Sequence, residues 1–147
     1  EGARRFIFEG RECGGHIGPL SSFVLWSTMV DKLGEELDAK KVAPEDLQLV
    51  FAGGIHDALS SAMVQVIAAP LAARGVKVGI LMGSAYLFTK EIVEAGAIVP
   101  RFQQEVLECT QTVNLESGPG HASRCAYTPF AREFFEQRAK LRADKII

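Results

Sequence analysis

Residues 47–54 read LQLVFAGG, a short apolar run that ends in two glycines. Two other runs have the same form: FIF at residues 6–8 leads into a glycine-rich loop, and VKVGIL at residues 76–81 leads into Met-Gly-Ser. Short apolar runs of this kind are typical of strands that are buried on both faces of a parallel sheet. The repetition of a strand, a glycine-bearing loop and a helix, at a spacing of about 30 residues, predicts an α/β fold.

Helical periodicity separates the three predicted strands. From Ser22 onward, apolar residues recur at three- and four-residue steps, which predicts a helix with one apolar face. The residues on that face are Trp26, Met29, Val30, Leu33 and Leu37. A second helix is predicted from a cap at Asp57 or Ser60 through about Ala73, with Pro70 bending or shortening it.

After the third strand the pattern is weaker, and the predicted elements are short. In order, they are a helix at residues 89–95, a helix with Phe102, Val106 and Cys109 on one side, an extended piece at 112–115, a turn at 117–120 and a final helix. Thr128 followed by Pro129 is a typical start for that final helix. We therefore predict a mainly helical tail, and a single domain over residues 1–147 with no linker inside it.

The composition excludes several classes of partner. The chain has 16 Lys and Arg against 18 Asp and Glu, and this near-neutral balance gives no basic surface for nucleic acid or an anionic membrane. The longest apolar stretch, residues 62–73, is interrupted by Gln65 and Pro70 and is well short of the roughly 20 residues that span a bilayer. The start of the chain has no secretion-signal pattern, and the three cysteines have no metal-ligand spacing. We expect a cytoplasmic protein with free thiols and no metal site.

The glycines after the second and third strands predict an anion site. Gly53 and Gly54 precede the second helix, and Gly83 and Ser84 follow the third strand. In parallel α/β folds, the loops at the carboxyl ends of the strands build the ligand site, and backbone N–H groups there favour a phosphate. Tight strand-to-helix turns also use glycine, so either pair alone has a purely structural explanation. Two pairs on successive strands favour a phosphate site.

His16 is the candidate catalytic residue, because it follows Gly14 and Gly15 in the first loop. Glycines beside an imidazole let a flat ligand approach the backbone while the ring donates or accepts a proton. A histidine that only forms structural hydrogen bonds is the simpler alternative. Of the other two histidines, His56 is expected to face solvent and His121 lacks neighbouring metal ligands. Cys13 is a weaker candidate for a nucleophile.

Three motifs of the chain, taken in order, resemble one enzyme family. They are EGRECGGHIG at residues 9–18, FAGGIHD at 51–57 and ILMGSAYL at 80–87. The nitronate monooxygenase (2-nitropropane dioxygenase) family, whose members are FMN-dependent TIM barrels, has a Gly-x-Glu-(Ala/Ser)-Gly-Gly-His loop, an Ala-Ala-Gly-Gly-Ile loop and a Met-Gly-Thr loop on its last three strands. The resemblance implies that this chain is the C-terminal portion, about three βα units, of a (β/α)8 barrel.

The resemblance also implies a cofactor and roles for particular residues. FMN would be the cofactor, with His16 as the active-site histidine. The residues implied to contact the cofactor are Gly14, Gly15, Ala52, Gly53, Gly54, Met82, Gly83 and Ser84. Two positions depart from the family pattern. Cys13 stands where the family usually has Ala or Ser, and Ser84 stands where it usually has Thr. The Gly-Pro-Gly-His turn at residues 118–121 also replaces the usual basic segment, which leaves the role of Arg124 open.

Three functions remain open at this point. The first is the oxidation of nitronates or nitroalkanes with a histidine base. The second is reduction of an enoyl thioester by an FMN-dependent enzyme of fatty-acid or polyketide synthesis, with NAD(P)H as a candidate donor. The third is a non-catalytic structural fragment. A (β/α)8 barrel takes about 250 residues, so the remainder of the barrel or another chain is expected to close the sheet.

Overall fold

The structure is a computed structural model that describes residues 2–146. The elements are β1 (Arg5–Glu9), β2 (Gly15–Ile17), α1 (Ser22–Asp38), β3 (Gln48–Ala52), α2 (Ala58–Ala72), β4 (Lys77–Leu81), α3 (Glu91–Glu94), α4 (Pro100–Leu107), β5 (Thr112–Gly118), β6 (His121–Ala126) and α5 (Pro129–Ala143). Two 3-10 turns, Pro44–Asp46 and Ser84–Phe88, precede β3 and follow β4.

The three strands predicted from the apolar runs form one parallel sheet in the order β1-β3-β4. In register, Phe8 lies beside Phe51, which lies beside Ile80. The α/β class is therefore confirmed. Because the strands are parallel and neighbouring, their carboxyl ends lie together at one edge of the sheet.

Helices α1 and α2 cover one face of the parallel sheet and form the core with it. Phe51, in the central strand, has no exposed surface, and the ring of Trp26 meets it edge-on at 5.9 Å between centroids. The indole N–H of Trp26 also donates to the backbone carbonyl of Phe8 at 3.2 Å. Burial of each such side chain stabilises the fold by about 1.5–3 kcal/mol.

The opposite face of the sheet is largely open. Ile7 of β1 is 57% exposed and Leu81 of β4 is 41% exposed. Within residues 2–146, β1 and β4 pair only with β3, so each has an unpaired edge. The sheet is therefore not closed into a barrel.

Both residues proposed as caps of the second helix act together. Asp57 is the N-cap of α2, and its carboxylate accepts a hydrogen bond from the backbone amide of Ser60 at 2.7 Å. In return, the hydroxyl of Ser60 accepts a hydrogen bond from the backbone amide of Asp57 at 3.0 Å. This reciprocal pair is a capping box. Pro70 lies in the last turn, and α2 ends two residues later at Ala72, one residue before the predicted end.

A second sheet departs from the sequence expectations. The first strand was expected to lead into a glycine-rich loop, yet residues 15–17 of that segment form β2, which pairs antiparallel with β6. Residues 112–126, expected to hold only a short extended piece and a turn, form the β5–β6 hairpin. The part of the chain after β4 therefore contains a hairpin in addition to the helices α3, α4 and α5. Gly15, with a φ of +81°, allows the turn into β2, and the pairing partner lies more than 100 residues along the chain, beyond the reach of a local pattern.

None of the helices within residues 2–146 is both long enough and apolar enough to cross a membrane.

Candidate active site

The loops that follow the three parallel strands approach one another. We call them the first loop (residues 10–14), the second loop (53–57) and the third loop (82–84). A Cβ atom on Gly14 would lie 3.3 Å from the hydroxyl oxygen of Ser84, and one on Gly54 would lie 3.3 Å from the Cβ of Glu12. The first loop therefore contacts both of the others. This convergence was predicted from the glycine pattern.

His16 lies in β2, immediately after the first loop, and its cross-strand neighbour is Ser123 of β6. The residue is exposed. Among the described residues, the imidazole of His16 has no hydrogen-bond partner, unlike that of His56. The ring is therefore available to a ligand, and the structural alternative, a histidine held by fixed hydrogen bonds, receives no support.

Three of the five glycines implied to contact a cofactor lie in the second and third loops, and they differ in what requires glycine there. Gly53 and Gly54 have φ values of +135° and +76°, which disfavour other residues. A Cβ at Gly53 would also overlap the hydroxyl of Ser22, so close packing alone explains this glycine. Gly83 has a negative φ and open space around it. Neither torsion nor packing requires glycine there, and the open space leaves room for a ligand beside the backbone.

The donors in the second and third loops fit the phosphate of FMN. Within residues 2–146, the amides of Gly54, Gly83 and Ser84 donate to no protein acceptor, and Ser84 adds an exposed hydroxyl. Unpartnered backbone N–H groups are the usual ligands of a phosphate in such loops. These residues could hold the phosphate group without displacing an existing hydrogen bond.

Some of the donors at the start of α2 are already occupied. The amide of Ser60 donates to the Asp57 carboxylate, and the amides of His56 and Asp57 donate to the hydroxyl of Ser60. An anion there would meet the charge of Asp57, so the dipole of α2 is already offset by its own cap. Within residues 2–146, the amide of Gly54 remains as an unoccupied donor just before this helix.

The last two implied cofactor contacts lie at the strand ends. Ala52 is the final residue of β3 and is 1% exposed. Met82 follows β4 and packs its side chain against the core. Contact with a cofactor at these two positions would use backbone atoms or, at Ala52, a single methyl group.

Sequence reasoning missed a network that joins the first two loops. The carboxylate of Glu12 accepts hydrogen bonds from both the backbone amide of Ser22, at 2.7 Å, and the hydroxyl of Ser22. The same hydroxyl lies 3.1 Å from the carbonyl oxygen of Gly53. Arg124, whose role was open, donates from its guanidinium to the backbone carbonyl of Glu12 at 3.0 Å. The network fixes the first loop against α1, the second loop and β6. The acidic residue within the Gly-x-Glu motif was the only local signal for it.

The electrostatics of Glu12 favour its ionised form. Partial burial raises the pKa of this carboxyl, but the hydrogen bonds from the hydroxyl and amide of Ser22, with the charge of Arg124, outweigh burial and hold the pKa below its usual range. Cys13 next to it behaves oppositely, because burial and the charges of Glu9 and Glu12 raise the pKa of its thiol. A protonated thiol is a poor nucleophile, which disfavours a catalytic role for Cys13.

We predict that Glu12 contributes stability that depends on pH. Since its pKa is lowered by folding, this contribution is complete above the pKa of the unfolded chain and is lost as the pH falls through the folded value. Tm measured against pH should therefore show Glu12→Gln less stable than wild type at neutral pH, with the gap closing in acid. Glu45→Gln, on an exposed turn, is the matched control. A gap that stays constant down to the acid range would contradict the prediction.

A second prediction concerns Gly10, which is buried against Ser22. A Cβ there would overlap both the backbone and the side chain of Ser22, so Gly10→Ala must displace α1 or the first loop and should cost about 1–3 kcal/mol. Gly34→Ala is the matched control, since Gly34 lies inside α1 with open space around it and alanine there should stabilise by about 0.5–1 kcal/mol. Urea unfolding measures both, and equal stability of Gly10→Ala and wild type would contradict the account.

The remaining candidates from the sequence include two residues of these loops, His56 and Cys13, and others outside them. His56 is exposed, as expected, and its Nδ1 lies 2.8 Å from the carbonyl oxygen of Gly54. His121 begins β6, at the turn of the hairpin. Among residues 2–146 there is no cluster of metal-ligating side chains, and Cys13, Cys109 and Cys125 are free thiols.

The two best-defined concavities of the described chain lie away from the three loops. One, of about 210 Å³, is at the opposite end of the strands, near Phe6 and Leu47. The other, of about 380 Å³, lies between the end of β2 and the hairpin turn. Where the three loops meet, Gly14, Gly54, Gly83 and Ser84 are exposed.

Comparison with known proteins gives one informative match. No family model and no curated protein matches the chain. Among solved structures, the chain is similar to a mutant of FabK from Thermotoga maritima, with a TM-score of 0.60 and 27% sequence identity. The likeness covers 92% of this chain and 37% of the FabK chain. The chain thus has the fold of part of a TIM-barrel protein and spans little more than a third of its length.

Proposed function

We propose that this chain supplies the phosphate-binding loops and the proton-transfer histidine of an FMN-dependent oxidoreductase. The observation that carries the proposal is the contact of the first loop, which leads into His16, with both Gly54 and Ser84. The amides of Gly54, Gly83 and Ser84 bind the phosphate. His16 lies beyond Gly14 and Gly15, where a flat ring system could approach the backbone. The order of the three motifs, which resembles that of nitronate monooxygenases, supports the same assignment.

The residues of the chain then have distinct tasks. FMN, when bound, supplies the transfer of electrons or hydride. His16 takes or gives a proton at a carbon beside an electron-withdrawing group. Glu12, through Ser22, and Arg124 act as positioning residues, because they fix the first loop that carries His16 relative to the second loop.

We favour an enoyl thioester as the substrate. FabK is an FMN-dependent enoyl-ACP reductase, and its similarity to 92% of this chain, over 37% of the FabK chain, supports this choice. In that reaction His16 would deliver the proton to the α-carbon, with NAD(P)H as the electron donor. Nitronate oxidation remains the second candidate, favoured by the three motifs, with His16 removing a proton from a nitroalkane.

Two further features belong to this proposal. The unpaired edges of β1 and β4 are covered by further strands of a barrel, from a longer form of the chain or from another chain. A cytoplasmic location agrees with the three free cysteines. A non-catalytic structural fragment is the competing hypothesis, and it predicts no affinity for flavin.

Paired assays with the FMN-loaded protein distinguish the substrates. Oxidation of NADH and NADPH is followed anaerobically with a short 2-enoyl thioester, and oxygen uptake is followed separately with a nitronate. We expect nicotinamide oxidation that depends on the thioester. Oxygen uptake with the nitronate alone would favour the second candidate, and activity in neither assay would contradict the proposed function.

A further inference from the structure

A groove beside β2 has no role in the site described above. Its volume of about 380 Å³ lies at the lower end of the range of small-molecule sites, roughly 300–1,000 Å³. One wall is formed by Ile17 and Pro19, and the other by the hairpin turn at residues 118–121. This is the Gly-Pro-Gly-His turn that departs from the family pattern. The lining is therefore partly apolar, with a small set of polar groups at one side.

The groove is lined by more positively charged than negatively charged side chains. Arg11, Arg138 and Glu116 all line it, so two guanidinium groups face one carboxylate. The nitrogen of Arg11 lies 3.6 Å from one oxygen of Glu116, and that of Arg138 lies 3.9 Å from the other. Both distances exceed that of a direct hydrogen bond. Within residues 2–146, neither guanidinium donates a hydrogen bond to the protein, so the donors of both are available.

This arrangement suits an anion with several acceptor oxygens. A guanidinium presents planar, paired N–H donors that match a phosphate or a carboxylate, and two of them around one concavity give a net positive site. A single Glu116 can balance only one of them. His121, at the start of β6, adds an imidazole to the same lining.

We propose that this groove binds the phosphate ester of a cosubstrate of the enzyme. The proposal rests on the proposed function, since both cosubstrates of a thioester reductase carry such a group: the pantetheine arm of the thioester and the nicotinamide nucleotide. Arg11 belongs to the first loop, and Ile17 directly follows His16 in β2, so the groove and the catalytic histidine are built on one segment. The uncharged part of the ligand would pack against the apolar wall formed by Ile17 and Pro19.

The test uses purified protein and measures the affinities of coenzyme A, NADPH and inorganic phosphate by calorimetry. Arg11→Gln and Arg138→Gln should each weaken phosphate-ester binding about tenfold or more, because a charge-assisted contact is lost. Glu116→Gln should tighten it, since the competing carboxylate is removed. Arg142→Gln, at the exposed end of α5 and outside the groove, is the matched control. Circular dichroism of each variant confirms that it is folded.

The results distinguish the thioester from the nicotinamide nucleotide as the ligand. They also distinguish failure of the groove proposal from failure of the proposed function. Weaker binding of coenzyme A alone identifies the thioester arm, and weaker binding of NADPH alone identifies the nucleotide. Unchanged affinities for all three probes in both arginine variants would overturn the proposal. FMN retention is measured in parallel and should not change in these variants. A protein that binds no FMN yet loses phosphate-ester affinity in them would refute the proposed function and leave the groove assignment standing.

Discussion

Replacement of His16 by alanine is expected to lower turnover by about 10²- to 10⁴-fold while FMN stays bound. The residue is exposed, and its imidazole has no hydrogen-bond partner among the described residues, so its loss removes no hydrogen bond there. The proposed phosphate donors lie elsewhere, in the second and third loops. Steady-state turnover and flavin absorbance, measured on the same preparation, give the two readouts.

Two further observations make the role of His16 specific. Added imidazole should restore part of the activity of His16→Ala, because it replaces the missing proton donor. The pH dependence of the rate should change in the variant, whereas a residue that only packs would leave it unchanged. Turnover of His16→Ala equal to that of wild type would show that the assignment is wrong.

Introduction of a negative charge at Gly54 is expected to expel FMN. The backbone at Gly54 has a φ of +76°, a conformation that asparagine and aspartate tolerate better than most residues. Gly54→Asn and Gly54→Asp are therefore matched in shape and backbone cost and differ in charge. A carboxylate about 4 Å from a phosphate, near the protein surface, is disfavoured by up to about 4 kcal/mol, or roughly a thousandfold in affinity.

Fluorescence quenching of FMN measures the two dissociation constants. We expect Gly54→Asp to bind FMN at least a hundredfold more weakly than Gly54→Asn, with the difference shrinking at high salt because the ions screen it. Equal affinities of the two variants would place the phosphate somewhere other than the second loop.

The sequence was sufficient for the parallel sheet and its helices. The apolar runs around Phe8, Phe51 and Ile80 are local patterns, and they became β1, β3 and β4 in one sheet. The cap at Asp57 is likewise a property of four consecutive residues. The second sheet could not be predicted, because β2 gains its strand conformation only from pairing with β6, whose residues lie far along the chain.

The same division between local and distant contacts applies to the site. Glycine pairs after successive strands predicted that the three loops meet, because the carboxyl ends of parallel strands share one edge. The network of Glu12, Ser22 and Arg124 was not predicted. The bond from Arg124 to Glu12 joins residues 112 positions apart, so only the folded arrangement reveals it. The capping box at the start of α2 occupies the amides of Asp57 and Ser60, a detail that the glycine pattern does not reveal.

The central claim is that the second and third loops hold the phosphate of FMN, and a comparison of FMN with riboflavin tests it most directly. The two ligands share the ring system and differ in the phosphate. Fluorescence titration of the purified protein should show FMN bound at least tenfold more tightly than riboflavin, since several backbone N–H groups contact the phosphate. Gly54→Asp should remove that preference. Equal affinities for the two ligands, or no binding of either, would contradict the account.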